Sequence, residues 1–245
     1  MPVSSEFDSL YVVLVSTRNP LNIGAAARAM SNLGFLHLRV VNPYEASFRE
    51  ARSAVGAAAV LADAEEYKSV AEAVADCSLV VGTTAAQHRE LQHPLHVLKK
   101  GTVHIHRRLK AGSRVAVLFG SEKRGLSNSD LGHCHWLMHI PTREEHTSMN
   151  LGQAVAVCLY ELARGTAKDL KSKPKQEDYA TSGEFERITV MLVEALQQSG
   201  YMEADQAAAK EEKVRRMVRR LELSGEDAGL LQGMLRQILW KLRQS

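Results

Sequence analysis

The chain has 245 residues, 45% hydrophobic and 5% aromatic, with 31 Lys and Arg against 28 Asp and Glu for a formal charge of +3. This describes one good-sized, aliphatic, Ala-rich core with room for a small second domain, and a net charge too small to specify a partner. Three cysteines without CxxC spacing argue against a disulfide framework, no basic-then-apolar leader opens MPVSSEFDSL, and no apolar run approaches the roughly 20 residues of a membrane span, so the expectation is a cytoplasmic protein.

In chain order, Tyr11 to Val15 is a β-branched run that ends in the polar turn Ser16-Thr17-Arg18-Asn19-Pro20. A helix is predicted from Asn22 to Leu33, with Ile23, Ala26, Ala27, Met30 and Leu33 as its apolar stripe and Gly34 as its stop. Leu36 to Val41 is the next strand, halted by Asn42-Pro43, and Ala-rich helical sequence fills Glu45 to Ala62. Val70 to Ala75 is helical, Leu79 to Val81 is a strand and Gly82-Thr83-Thr84 a loop; His93 to Gly112 is mixed, with a short helix on each side of Gly101. Val115 to Phe119 is a strand that stops at Gly120, and Leu137 to Ile140 is another that stops at Pro141. Ser148-Met149-Asn150 then opens a helix whose apolar positions are Leu151, Val155, Leu159 and Leu162, with Asn150 and Gln153 placed as a capping box. This alternation predicts an α/β fold with a parallel sheet covered on both faces.

After Gly165 the character changes. Residues 167–183, richest in charge from Lys168, carry almost no large apolar side chain and read as an exposed linker between a domain of residues 1–166 and a helical region of residues 184–245. Three helices are predicted in that region: Glu184 to Gln198, Asp205 to Leu221 and Glu226 to Arg243. In the second, Val214, Met217, Val218 and Leu221 form the core stripe, and Arg215, Arg216, Arg219 and Arg220 are the best candidates for phosphate-backbone contact.

Strand ends that deliver glycine-bearing loops are where open α/β sheets hold ligands. Gly24 and its neighbouring alanines leave the first helix nearly bare, so another backbone or a ligand can approach it closely. Arg28 lies about 140° around that helix from Ile23, at about 100° per residue. It is either a solvated arginine or a guanidinium aimed at a phosphate or a developing oxyanion. Gly120-Ser121-Glu122-Lys123-Arg124-Gly125 is no P-loop, because no GK[ST] follows, and no strand is followed by GxGxxG; nicotinamide and P-loop nucleotide enzymes are disfavoured. His104-x-His106 and His133-Cys134-His135 lack zinc spacing, and the ten histidines are expected in loops and at the surface, with no metal. Ser148 has no GxSxG context.

Three blocks nevertheless occur together: Asn22-x-Gly24-x-x-x-Arg28; Leu118-Phe119-Gly120-x-Glu122-x-x-Gly125-Leu126; and Ile140-Pro141 leading to Ser148-x-Asn150. They resemble the three motifs of the SpoU/TrmH branch of the SPOUT methyltransferases, and the helical tail is similar to that of the family's TrmJ-type members. The resemblance implies an α/β domain with a C-terminal trefoil knot, S-adenosylmethionine as cofactor, a homodimer, and tRNA as substrate. The reaction it implies is 2′-O-methylation of cytidine or uridine in the anticodon loop, at tRNA position 32. By position, it implies cofactor contacts at Thr83, Thr84, Leu118, Gly120, Ile140, Ser148, Met149 and Leu151. Arg28 matches the family's catalytic arginine; Glu122, Asn150 and Asn22 match residues that shape the site, and Ser148 stands close to them in the motif. The other readings are a ribosomal RNA 2′-O-methyltransferase, a non-enzymatic RNA-binding dimer of the same fold, and a small-molecule α/β enzyme using the Gly120 loop for an anion.

Overall fold

The computed structural model describes residues 5–44, 48, 58–85, 92–145, 148–164, 178–202 and 207–244. Among them, seven strands form one sheet: β1 (Leu10–Val15), β2 (His37–Val41), β3 (Glu65–Tyr67), β4 (Leu79–Thr83), β5 (Leu95–Val97), β6 (Val115–Phe119) and β7 (Trp136–His139). Their order is β3-β2-β1-β6-β4-β7-β5, and each pairing is parallel. A 3-10 turn (Ser5–Ser9) precedes β1, and the described α-helices are α1 (Pro20–Leu33), α2 (Ala58–Ala62), α3 (Val70–Ala73), α4 (Leu98–Lys110), α5 (Asn128–Gly132), α6 (Leu151–Arg164), α7 (Ser182–Gln198), α8 (Ala207–Arg219) and α9 (Gly225–Leu242).

Strand β1 reads LYVVLV and is buried at every position, as a strand must be when helices cover both faces of a parallel sheet. Leu10, Val12 and Leu14 face a core shared with Val115 and Val117 and with residues of α1, α4 and α6. Tyr11, Val13 and Val15 face a second core with Val80, Leu118, Val74 and Leu131, beneath α3 and α5. Register sets Gly82 beside both Leu118 and Leu137, so the carboxyl ends of β6, β4 and β7 lie together.

Several elements depart from the sequence reading. Helix α1 begins at Pro20, two residues before the predicted start, because the Asn19 side chain caps it by accepting from Leu21 N at 3.0 Å. Helix α4 runs unbroken through Gly101; a Cβ there would sit 2.8 Å from Met138 Sδ, so this glycine permits close helix–sheet packing instead of ending a helix. The short edge strands β3 (EEY) and β5 (LHV) carry no apolar run to announce them. Gly82 and Thr83 belong to β4 and not to the loop. Of the Ala-rich tract Glu45 to Ala62, the described residues are Phe48 and 58–62.

The expected linker is corrected at its end: residues 165–177 lie outside the described residues, but residues 179–183 are tied to the rest of the chain. Tyr179 lies beneath the Arg108 guanidinium, 3.4 Å from ring centroid to Cζ, and Ala180 is buried. Thr181 and Glu184 form a capping box, and the first turn of α7 is tied down by Ser182 N donating to Cys77 O at 2.8 Å and Gly183 N to Ala75 O at 2.9 Å. Phe185, Ile188, Val218, Ala228 and Leu235 make a third core among α7, α8 and α9. Of the stripe predicted on α8, Val218 is fully buried, whereas Met217 and Leu221 are 43% and 48% exposed.

Candidate active site

The three sequence blocks converge through one chain of hydrogen bonds. Glu122, in the loop after β6, accepts from Asn22 Nδ2 at 3.0 Å and from the backbone N–H groups of Asn19 and Arg18 at 3.2 and 3.4 Å. Asn22 Oδ1 in turn accepts from Asn150 Nδ2 at 2.8 Å, and Asn150 Oδ1 accepts from Gln153 N at 3.3 Å, one of the two bonds of the expected capping box. A carboxylate can only accept, so the Asn22 amide nitrogen must face Glu122 and its oxygen must face Asn150. Partial burial alone would raise the Glu122 pKa; the bonds from Asn22 and the backbone outweigh it and hold this carboxyl below its usual value.

The loop itself is a tight cradle. Gly125 N donates to Ser121 O at 2.8 Å, and Gly125 adopts φ +66°, which suits glycine. A Cβ on Gly120 would lie 2.1 Å from the backbone of Gly125 and Leu126, so no side chain fits there. One face of the loop borders a 290 Å³ pocket at the carboxyl ends of β4, β6 and β7. Of the eight residues expected to hold a cofactor, Thr83, Thr84, Gly120, Ile140, Ser148, Met149 and Leu151 line this pocket. Leu118 does not: its side chain is buried in the core beneath α3 and α5, and only its carbonyl faces this end, accepting from Thr83 Oγ1 at 2.8 Å. Phe119 and Leu126, named positions of the second block, also line the wall, together with Met138, Thr142 and Ala154, which were not singled out by sequence; each of those three lies within four residues of a motif position, the only signal that pointed to it. The loop's other face borders an open polar cleft of 1280 Å³ that carries Arg18, Lys123 and Arg124 as well as Asn19 and Asn22.

Arg28 is exposed on α1, on the opposite side from buried Ile23, and belongs to the lining of neither cavity. Two expectations need correction. His106, His133 and His135 are buried, not superficial: His106 Nε2 bonds Leu162 O at 3.0 Å, and His135 Nδ1 accepts from Val80 N at 3.0 Å. The arginine cluster is mostly turned inward, because Arg215 pairs with Glu186 and Glu211 at 3.0 and 2.7 Å, Arg216 with Glu212 at 3.4 Å, and Arg219 is fully buried; Arg220 alone of the four is exposed. The three cysteines are free and buried.

Comparison with known proteins agrees with the converging motifs. Residues 9–160 match the model of the SpoU rRNA Methylase family. The chain belongs to the SpoU methylase family. Curated SpoU-related proteins at this similarity include the tRNA (cytidine/uridine-2′-O-)-methyltransferase TrmJ of Sodalis glossinidius, 32% identical over 94% of this chain and 91% of the relative. The tRNA (cytidine/uridine/adenosine-2′-O-)-methyltransferase TrmJ of Pseudomonas aeruginosa is also 32% identical, over 93% of each chain. Among solved structures, TrmJ from Z. mobilis superposes with a TM-score of 0.81 at 29% identity, covering 93% of this chain and 98% of that one. No helix among the described residues is long and apolar enough to cross a membrane.

Proposed function

We infer that this SpoU-family chain is an S-adenosylmethionine-dependent tRNA 2′-O-methyltransferase that acts on a cytidine or uridine ribose of the anticodon loop. The observation that carries the reading is the hydrogen-bonded chain Glu122–Asn22–Asn150, which joins all three motif blocks beside a pocket shaped by Gly120. The pocket fits the cofactor: it mixes apolar walls (Leu126, Ile140, Leu151) with threonines Thr83 and Thr84, and its floor at Gly120 is bare backbone, the usual make-up of a small-molecule site. Thr83, Thr84, Gly120, Ile140, Ser148, Met149 and Leu151 would hold S-adenosylmethionine, and Leu118 would serve through its carbonyl. When bound, that group supplies an electrophilic methyl on a sulfonium.

The chain's own residues then have to place a ribose hydroxyl in line and stabilise charge as its proton leaves. The cleft bearing Arg18, Lys123 and Arg124 is suited to the RNA backbone, across the loop from the cofactor pocket. Arg28 acts as a fixed positive charge that orients phosphate and favours the alkoxide; it is not a general base, since a guanidinium stays protonated at any working pH. Ser148 accepts from the arginine or hydrogen-bonds the substrate, and Glu122, Asn22 and Asn150 hold the loops. Arg28 sits outside its own chain's pocket, so the active unit is a homodimer in which α1 of one copy serves the other. The exposed apolar residues Leu21, Val157 and Tyr160 on α1 and α6 support that assembly. The segment from β6 to α6 is threaded as a trefoil knot; in support, Ile140, Thr142, Ser148 and Met149 line the same pocket as the Gly120–Gly125 loop, and α6 packs on the core it shares with α1. The protein works in the cytoplasm with residues 1–166 as the catalytic domain and the C-terminal helices as a tRNA-contacting unit.

The test uses labelled S-adenosylmethionine and bulk tRNA lacking 2′-O-methyl groups, followed by nuclease mapping. Label in an anticodon-loop ribose is expected. Transfer to ribosomal RNA instead, the substrate in the family model's description, would replace tRNA in this reading. Cofactor binding without transfer to either RNA would leave a non-enzymatic RNA-binding dimer. Arg28→Ala is expected to abolish turnover while cofactor affinity, measured by calorimetry, stays within about twofold; loss of cofactor binding would overturn the role given to Arg28.

A further inference from the structure

A cavity of 500 Å³ opens at the other end of the sheet, where the first residues of β4 and β7 meet α4 and the end of α8. Arg107 and Arg220 stand exposed at its rim, and Arg108, Arg219 and His135 are buried in its wall. Among the described lining residues Glu222 is the one carboxylate, and Arg108 Nη2 already engages it at 3.3 Å.

Two side chains in this wall carry donors with no acceptor among the described residues. Arg219 is 1% exposed, its Nε and Nη1 have no hydrogen-bond partner, and its Nη2 is 3.6 Å from Glu186 Oε2, too far for a hydrogen bond. His135 uses Nδ1 to accept from Val80 N, so the neutral ring carries its proton on Nε2, and that buried N–H is also unpartnered. Burial pushes the Arg219 guanidinium down to about 10, with Glu186 only partly offsetting it. Buried donors are almost always satisfied, and two orphans from different elements at one cavity with four guanidinium groups against one carboxylate call for a negatively charged acceptor.

We propose that this cavity is an oxyanion site, in which the Arg219 guanidinium and the His135 Nε2–H bind a phosphate group that enters between Arg107 and Arg220. A phosphate of bound RNA and a free phosphate-bearing compound share that chemistry. The RNA source rests on the tRNA-methyltransferase reading; the anion site does not. It lies one strand length from the cofactor pocket, about 17 Å for five residues. An RNA phosphate held here is therefore remote from the reacting ribose and contributes to binding, not to chemistry.

The experiment uses the full chain, inorganic phosphate and bulk tRNA. Phosphate is expected to shift the His135 Nε2 proton resonance saturably, and Arg107→Ala/Arg220→Ala, both exposed positions, to weaken that binding roughly tenfold. Arg219→Lys, which keeps a charge at the floor but loses the guanidinium fork, should abolish the His135 response; circular dichroism checks that each variant is folded. If RNA is the source, tRNA displaces phosphate and the rim variant raises the KM for tRNA about five- to tenfold with kcat and cofactor affinity unchanged. If a free compound is the source, phosphate saturates the site but tRNA neither displaces it nor shows a changed KM. An unresponsive His135 overturns the proposal, with or without a change in tRNA KM, because the cavity then holds water and the rim arginines act alone. Wild-type protein that transfers no methyl to tRNA would sink the functional reading and leave the phosphate titration standing.

Discussion

At the scale of single residues, the site depends on groups that no other side chain replaces. Glu122 is held ionised below its ordinary value by Asn22 and two backbone N–H groups, against the opposing effect of burial. A depressed carboxyl contributes stability that is full above its unfolded pKa of about 4.5 and lost as pH falls through the lowered folded value. The stability gap between the wild type and Glu122→Gln in urea melts should therefore be constant at neutral pH and narrow as pH falls below about 4.5; a gap that does not narrow below that pH would show that the charge is not what anchors the loop. Gly120 is constrained differently, by space: with backbone 2.1 Å from where a Cβ would stand, Gly120→Ala must push the loop open. Cofactor affinity should fall at least about tenfold, or 1.4 kcal/mol, in calorimetry; an unaltered affinity would mean that the cradle does not contact the cofactor.

At the scale of elements, the join between α1 and α6 carries the site, because it brings Asn22 to Asn150. It is close-packed at Gly152, where a Cβ would lie 2.6 Å from Ala25 Cβ. Gly152→Val should cost about 1–3 kcal/mol by overpacking. The exchange Ala25→Gly with Gly152→Ala should restore most of the melting temperature, and no recovery would place the strain elsewhere. The same elements show what a sequence discloses. Long apolar runs (Tyr11 to Val15, Val115 to Phe119) and the stripe of α1 were legible because burial on both faces of a parallel sheet imposes them. The meeting of Glu122, Asn22 and Asn150 was legible only through family resemblance, since no local pattern joins residues a hundred positions apart. Gly101 misled because a helix breaker and a packing notch look alike in one dimension. Arg215 and Arg219 misled because their partner, Glu186, lies on another helix; a charge run reads as solvated until that partner is known.

At the scale of the whole molecule, the C-terminal helices are fastened to the sheet through charged and imidazole groups as well as apolar contacts. Burial, reinforced by Arg219, pushes His133 down to about 4 despite Glu186 at 3.6 Å. The unfolded histidine takes up its proton near 6.5 and the folded one does not, so this group lowers stability as pH falls from about 6.5 to 4, by at most about 1.4 kcal/mol per pH unit. His133→Gln should flatten the stability–pH slope in that window; equal slopes would mean that the folded ring is already protonated. His135, buried near Arg219 and Arg108, acts in the same direction. The pairing of α1 with α6 has a further consequence, for the order in which the molecule is made. Helix α1 buries its apolar stripe against one that ends at Arg164, and β1, the strand before it, pairs with β6, which begins at Val115. A nascent chain must therefore keep Ile23, Ala27 and Met30 without their final neighbours until the helix Leu151–Arg164 has been made. Folding of so non-local a core is slow, and the early part of this chain depends on its later part for a place to settle.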